Sequence, residues 1–307
     1  MRRVALLCLA ALMWSAPAQA YFELTGVGAR VIALGPSAMG LVDDVSAYRW
    51  NPAALTSLTG PEALMDVAKP YGVDNLNESA LALGTRRWGT GWALGWHRVS
   101  VTDIYSEDQF CAAAGRTLLR GAADSRLDAG ATFVFGTAAF QPFTDPGGIA
   151  QDYGVVSKGS FDAGLRWRSP WSVDLSWVGR DLLQPRYEFQ SGSGGDRLAT
   201  RQELAAAFRW NRESTISVGW AQTASGAATL SAGLEILFFD VFAIRSGLSN
   251  ISSTYESTAS PNDLQFSGGF GVFHRGVYID AAAGTHHELG ASYRVTLRFR
   301  GQGGGAQ

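Results

Sequence analysis

The chain has 307 residues, of which 46% are hydrophobic and only 17% charged, below the roughly 25% typical of soluble domains. Its 25 Lys and Arg nearly balance its 27 Asp and Glu, so the net charge of −2 excludes the basic surface that nucleic acid demands. Two cysteines, Cys8 and Cys111, lie far apart, and only Cys111 lies beyond the N-terminal leader described next, so no disulfide framework is expected to hold the fold.

The first element is an export signal over residues 1–20. Arg2 and Arg3 form a positive start, Val4 to Trp14 an apolar run, and Ala18-Gln19-Ala20 the small-x-small pattern that places cleavage before Tyr21. The run is too short to span a bilayer as a helix, and Cys8 sits too early in it for a lipid-modified cysteine. After residue 20 no stretch of about 18 apolar residues occurs, so no helical span follows.

Residues 21–59 do not alternate and read as a compact, partly helical segment. Pro36 suits the first turn of a short helix. Ser46 is placed to cap another, and Asn51-Pro52 reads as a turn.

From residue 60 to residue 300 the pattern has period two. In the last segment Leu289, Ala291, Tyr293, Val295, Leu297 and Phe299 share one face, against Gly290, Ser292, Arg294, Thr296, Arg298 and Arg300 on the other. Fourteen such segments are predicted, at 62–69, 78–87, 90–99, 109–117, 126–136, 159–168, 171–180, 202–211, 213–221, 228–236, 239–248, 264–275, 277–283 and 286–300. Connections after even-numbered segments are mostly tight (Ser169-Pro170, Asn211-Arg212, Arg275-Gly276), whereas 137–158, 181–201 and 249–263, after odd-numbered ones, are long. Short turns on one side and long loops on the other mark an outer-membrane barrel. A soluble sandwich also alternates. It does not place Trp88, Trp167, Trp171, Trp210 and Trp220 near strand ends, nor put arginines on a face that would be its core. The fold class expected is all-β: a transmembrane antiparallel β-barrel of about 14 strands spanning 60–300, with a flexible tail at 301–307.

The segment before the barrel carries Ala29-Arg30, the small-residue run Gly35 to Gly40, Asp43-Asp44 and Asn51-Pro52-Ala53. By this pattern it resembles the PorV/PorQ-like outer-membrane proteins and, behind them, the FadL-type transporters of hydrophobic compounds. Looser matches are Ile244-Arg245-Ser246-Gly247, and Ile279-Asp280-Ala281 followed by His287. Pro36-Ser37 stands where Gly-Gly or Gly-Ala is expected, and Ala54 where Gly is usual. The resemblance implies that residues 21–59 fold inside the barrel as a hatch, with Arg30, Asp43, Asp44, Asn51 and Pro52 as candidate hatch residues. It also implies location in the outer membrane of a diderm bacterium and two alternative roles. One is passage of hydrophobic or amphipathic small molecules; the other is a non-transporting partner of secreted or envelope proteins.

Alternation places Arg166, Arg168, Arg209, Glu235, Arg245, Asp280, Arg294 and Arg298 on the lumenal face. They either select anionic substrates or pair with Asp162, Asp174, Glu203, Glu235 and Asp280 and fill the interior. Pairing is favoured because buried charges are normally paired. No catalytic, cofactor or metal site is expected. His286 and His287 point to opposite faces of a strand, as do His97 and Ser100. Asp43-Asp44 alone is too few ligands for a calcium cage. Gly26-Val27-Gly28 lacks the third glycine and the strand-to-helix setting of a dinucleotide site. Cys111 reads as a packing residue. Lipid is therefore the expected surrounding partner.

Overall fold

The computed structural model describes residues 26–144, 147–189, 195–224, 228–250, 264–286 and 289–301. The expected signal at 1–20, residues 21–25, most of the tail and His287 lie outside them.

The strands are β1 (Glu62–Lys69), β2 (Leu76–Arg87), β3 (Thr90–Val101), β4 (Tyr105–Arg120), β5 (Arg126–Phe140), β6 (Phe143–Thr144), β7 (Ala150–Gln151), β8 (Val155–Arg168), β9 (Val173–Arg180), β10 (Arg186–Tyr187), β11 (Asp196–Arg197), β12 (Arg201–Arg209), β13 (Ser214–Thr223), β14 (Ala228–Phe238), β15 (Phe242–Asn250), β16 (Leu264–His274), β17 (Val277–His286) and β18 (Gly290–Arg300). Fourteen of these close into one antiparallel barrel, with β1 paired to β18. The pairs β6–β7 and β10–β11 are small two-stranded sheets within two of the long loops. Closure removes the two edges that an open sheet of this size would expose.

Each ladder keeps neighbouring side chains in step, so the period-two pattern becomes two surfaces. On β3, Trp92 and Leu94 are exposed on the outside while Ala93, His97 and Val99 are buried inside. Met65, Val67, Leu81, Leu83, Phe110, Phe133, Phe161, Leu204 and Phe270 extend the outer face round the ring. An apolar band round the exterior is a surface made for hydrocarbon rather than water. Trp88 (80% exposed), Trp171 (73%), Trp210 (72%) and Phe239 (93%) sit at four of the tight turns and give that rim an aromatic edge.

The ladders run further than the alternation suggested. β5 continues to Phe140 and β8 starts at Val155, because Thr137, Ala138 and Ala139 pair with Ser157, Val156 and Val155. The long loop expected at 137–158 thus shrinks to 141–154, and polar Ser157 and Lys158 had hidden the strand. Conversely, Trp171 and Ser172 belong to a turn and not to β9, and Ser172 has φ 62.

Residues 26–59 lie inside the ring. Helix α1 (Ala29–Leu34), a 3-10 turn (Pro36–Gly40), helix α2 (Ala47–Trp50) and a second 3-10 turn (Pro52–Ser57) follow one another. Their apolar side chains Val31, Leu34, Val42, Val45, Tyr48, Leu55 and Leu58 are buried in one cluster with Leu64, Ala80, Ala93 and Val134 of the wall. The segment bonds to opposite sides of the barrel: Ala29 N–H to Thr296 Oγ1 (2.6 Å), Thr132 Oγ1 to the Tyr48 carbonyl (2.9 Å), Asn51 Nδ2 to the Leu165 carbonyl (3.2 Å). Pro36 and Pro52 each occupy the first turn of a 3-10 helix, where their missing N–H is no loss. The cap assigned to Ser46 is not made. Ser46 has helical backbone angles, and its Oγ bonds to Asp44 Oδ1 (2.5 Å) instead. Asn51 is the residue that caps, accepting from Ala53 N–H (3.1 Å).

Glycine makes this filling possible. Gly91, Gly115, Gly130 and Gly164 are paired in one row across β3, β4, β5 and β8. A Cβ on any of them would overlap Asn51, Pro52 or Leu55. Gly219, Gly233 and Gly247, on β13 to β15, receive Leu34 and Ser37 in the same way. Two glycine shelves on separated parts of the wall thus hold the two 3-10 turns.

Candidate functional site: the lumenal segment and the outer mouth

The short helices leave many carbonyls without partners inside the segment, and wall arginines take them. Arg166 Nη1 donates to the Val42 carbonyl (2.8 Å), Arg294 Nη1 to Gly26 (2.7 Å), and Arg180 to Arg49 and Trp50 (2.5 and 2.9 Å) at the C-terminal end of α2. That end carries the negative pole of the helix, which a guanidinium complements.

Carboxylates neutralise these guanidiniums. Arg30 donates to both oxygens of Glu235 (2.9 Å each) and to Asp43 (2.6 Å). Glu235 also accepts from Arg245 Nε (2.7 Å), whose Nη1 reaches Asp280 (2.6 Å). Arg166 and Arg209 share Asp174 (2.7 and 2.9 Å). Arg298 lies 3.5 Å from Asp44 and 3.6 Å from Glu62, over the Tyr278 ring at 3.9 Å. Arg294 bonds to Asp66 and Glu78, and Glu78 meets His97 Nε2 at 2.8 Å. Within the segment, burial works against the charge of Arg30 and Asp43, but attraction to the opposite charges around each wins. Arg30 is held well above its usual range, with Glu235 as its main partner, and Asp43 well below the carboxylate range.

The structure therefore places Arg166, Glu235, Arg245, Asp280, Arg294 and Arg298 as buried inner-face residues, while Arg168 and Arg209 lie at the tight-turn rim, partly exposed. Arg168 donates to Ser57 and approaches Asp128 at 3.8 Å. Arg30, Asp43 and Asp44 join the network, whereas Asn51 and Pro52 seat the segment on the glycine row. Glu62, Asp66, Glu78 and Arg180 were not singled out from the sequence. Each has inward parity on its strand, which was the available signal; its partner lies across the barrel seam or in the segment, which no local pattern reveals. His97 faces inward from β3, and Ser100 has the opposite parity on the same strand.

At the long-loop rim stands an aromatic cluster. Phe140 packs on Tyr105 (4.7 Å between centroids), Phe189 (4.9 Å) and Tyr153 (5.7 Å), with Phe143 against Tyr153 (6.0 Å). Ala138, Tyr187 and Leu198 are buried beneath, and Ile149, Val155 and Leu183 stay exposed around it. Loop 181–200 is tied down where Asp181 N–H donates to Asp162 Oδ1 (2.9 Å). Asp162 Oδ2 faces Arg180 (3.6 Å) and Arg49 (3.7 Å). Burial, and then the neighbouring Asp162, push the Asp181 carboxyl up to about 6. This rim presents apolar surface to the outside, and charged, closed packing lies below it.

No protein-family model matches the chain, and no curated protein matches it. Solved structures do. A FadL homologue of Pseudomonas aeruginosa superposes with a TM-score of 0.58 at 12% identity, covering 89% of this chain and 100% of that one. The deltaS2S3 mutant of the monoaromatic hydrocarbon channel TodX gives 0.59 at 11%, over 90% and 98%. The monoaromatic hydrocarbon channel CymD gives 0.57 at 11%, over 88% and 97%. At these identities the likeness is one of fold.

Proposed function

We propose that the protein resides in the outer membrane of a diderm bacterium and passes hydrophobic or amphipathic small molecules. The observation that carries this is the pairing of an apolar aromatic mouth with a lumen filled by a separate N-terminal segment. A channel for sparse apolar solutes needs a capture surface and a closed resting state, and the aromatic mouth and the filled lumen would supply both. The likeness to hydrocarbon channels supports the same reading at the level of fold. In it, solute collects on Phe140, Phe143, Tyr153 and Phe189, and residues 26–59 yield to let it through. Arginines paired with carboxylates leave little free charge to select an anion, so the substrate is sorted by its apolar body. The test is uptake into vesicles whose outer leaflet carries lipopolysaccharide, which slows apolar solutes, with and without the purified protein. Toluene or a medium-chain fatty acid should equilibrate faster than in empty vesicles, and a sugar of similar size should not. Equal rates for toluene with and without protein would overturn the proposal.

A further inference from the structure

The outer wall is not apolar throughout. Register sets Ser79, Arg98, Asp108, Thr137 and Ser157 in one outward row across β2, β3, β4, β5 and β8. The next row toward the tight turns is Leu81, Trp96, Phe110, Phe135 and Gly159, and the one after that Leu83, Leu94, Ala112, Phe133 and Phe161. The wall thus changes from hydrocarbon-facing to polar within one step of the ladder, and it does so through aromatic rings, as at a membrane interface.

An open cavity of about 510 Å³ lies across this boundary, lined by Trp96, Phe110, Arg98, Asp108 and Thr137. Trp96 Nε1 donates to Asp108 Oδ1 (2.9 Å), which fixes that carboxylate. Arg98 Nη1 stands 3.7 Å from the same oxygen, an ion contact too long for a hydrogen bond, and its side chain is 42% exposed. One anchored anion and one turned-out cation therefore sit side by side above an aromatic floor, on a face that no other described residue covers.

We propose that this niche binds the headgroup of a lipid that joins a phosphate to a primary ammonium. Phosphate oxygens match the planar fork of Arg98, and the ammonium meets Asp108. A phosphate alone would be repelled by Asp108, and an amine alone by Arg98. Trp96 and Phe110 lie under the glycerol and the first methylenes. This inference rests on the membrane location proposed above, not on transport.

The experiment is native mass spectrometry of the full chain, purified and reconstituted into vesicles of equal parts phosphatidylethanolamine, phosphatidylglycerol and phosphatidylcholine. Phosphatidylethanolamine should be retained several-fold over the other two after mild delipidation. R98Q and D108N should each abolish that preference, and the charge swap R98D/D108R should restore it. R87Q, which removes an exposed arginine at the opposite rim, should leave it intact. Equal retention of the three lipids overturns the proposal, as does a preference for phosphatidylglycerol or one unmoved by R98Q and D108N. Failure of the wild-type protein to insert into any vesicle overturns the membrane location instead, while lost transport with the lipid preference kept overturns only the channel.

Discussion

Glu235 sits between two guanidiniums, and the two do different work. Arg245 ties it to Asp280 within the wall, and Arg30 ties it to the segment inside. R30M leaves Glu235 paired with Arg245 and strands only Asp43, whose side chain is 49% exposed. Its expected cost is that of hydrogen bonds to charged groups, about 1.5–3 kcal/mol. R245M strands Asp280 in a buried site, and breaking such a pair costs about 3–5 kcal/mol. Urea unfolding in detergent, followed by tryptophan fluorescence, should rank R245M below R30M. The reverse order would place the load on the segment rather than on the wall. Asp43 adds a pH term. Its carboxyl is depressed by Arg30, so its contribution is present above the ordinary carboxylate range and fades as acid protonates it. The inner position of Glu235, Arg245 and Asp280 was legible from parity alone. Which carboxylate each arginine meets was not: Arg294 on β18 reaches Asp66 on β1 and Glu78 on β2 only because the first and last strands pair.

Among the elements, the glycine rows show what a strand pattern hides. In sequence Gly91, Gly115, Gly130 and Gly164 are scattered residues, and only ladder register makes them a shelf. Alanine at Gly130 would place a methyl group on the Pro52–Ala53 backbone, which cannot turn aside as a side-chain tip could. At Gly284 the same methyl group meets its nearest atoms at 3.9 Å, ordinary contact. G130A should therefore unseat residues 51–55 and raise protease cleavage within 26–59 while the barrel still runs as a folded, heat-modifiable band; G284A should match wild type. Equal cleavage in both would show that the row does not seat the turn. The long loop 181–200 gives a second expectation. Because Asp181 is raised toward 6 by burial and by Asp162, its anchored form favours the proton. Anchoring is strongest below the ordinary carboxylate pKa and weakens as pH rises through about 6, with Arg49 and Arg180 partly offsetting the loss. Amide exchange at Leu182 and Gln184 should be slower at acid pH than at neutral pH in the wild type, and the difference should shrink in D181N. A loop whose exchange, corrected for intrinsic rates, ignores pH would remove Asp181 from its anchoring. The sequence offered a long polar connection here but not its fastening, since Asp162 belongs to β8, one strand before the strand that leads into the loop.

For the whole molecule, the barrel was readable because its signal is local: each strand repeats every two residues whatever its neighbours do. Closure, shear and the filling of the lumen are long-range, and only the resemblance of residues 29–53 placed that segment inside. Whether it moves is the question on which the channel reading turns. Ser37 Oγ lies 2.9 Å from Ser217 Oγ on β13, so the two side chains already point at each other, as a disulfide pair must. In a C111A background, S37C/S217C should oxidise without moving the backbone. If solute passes by displacing residues 26–59, oxidation should cut toluene uptake by about tenfold or more, because the lock removes the open population instead of shifting it. Reduction should restore uptake, and single-cysteine controls should not respond. Uptake that persists with the bond formed would mean that the first turn stays on its shelf during passage. The route would then have to open elsewhere, by displacement of the Arg180-held half around α2 or between the segment and the wall of β2 and β3.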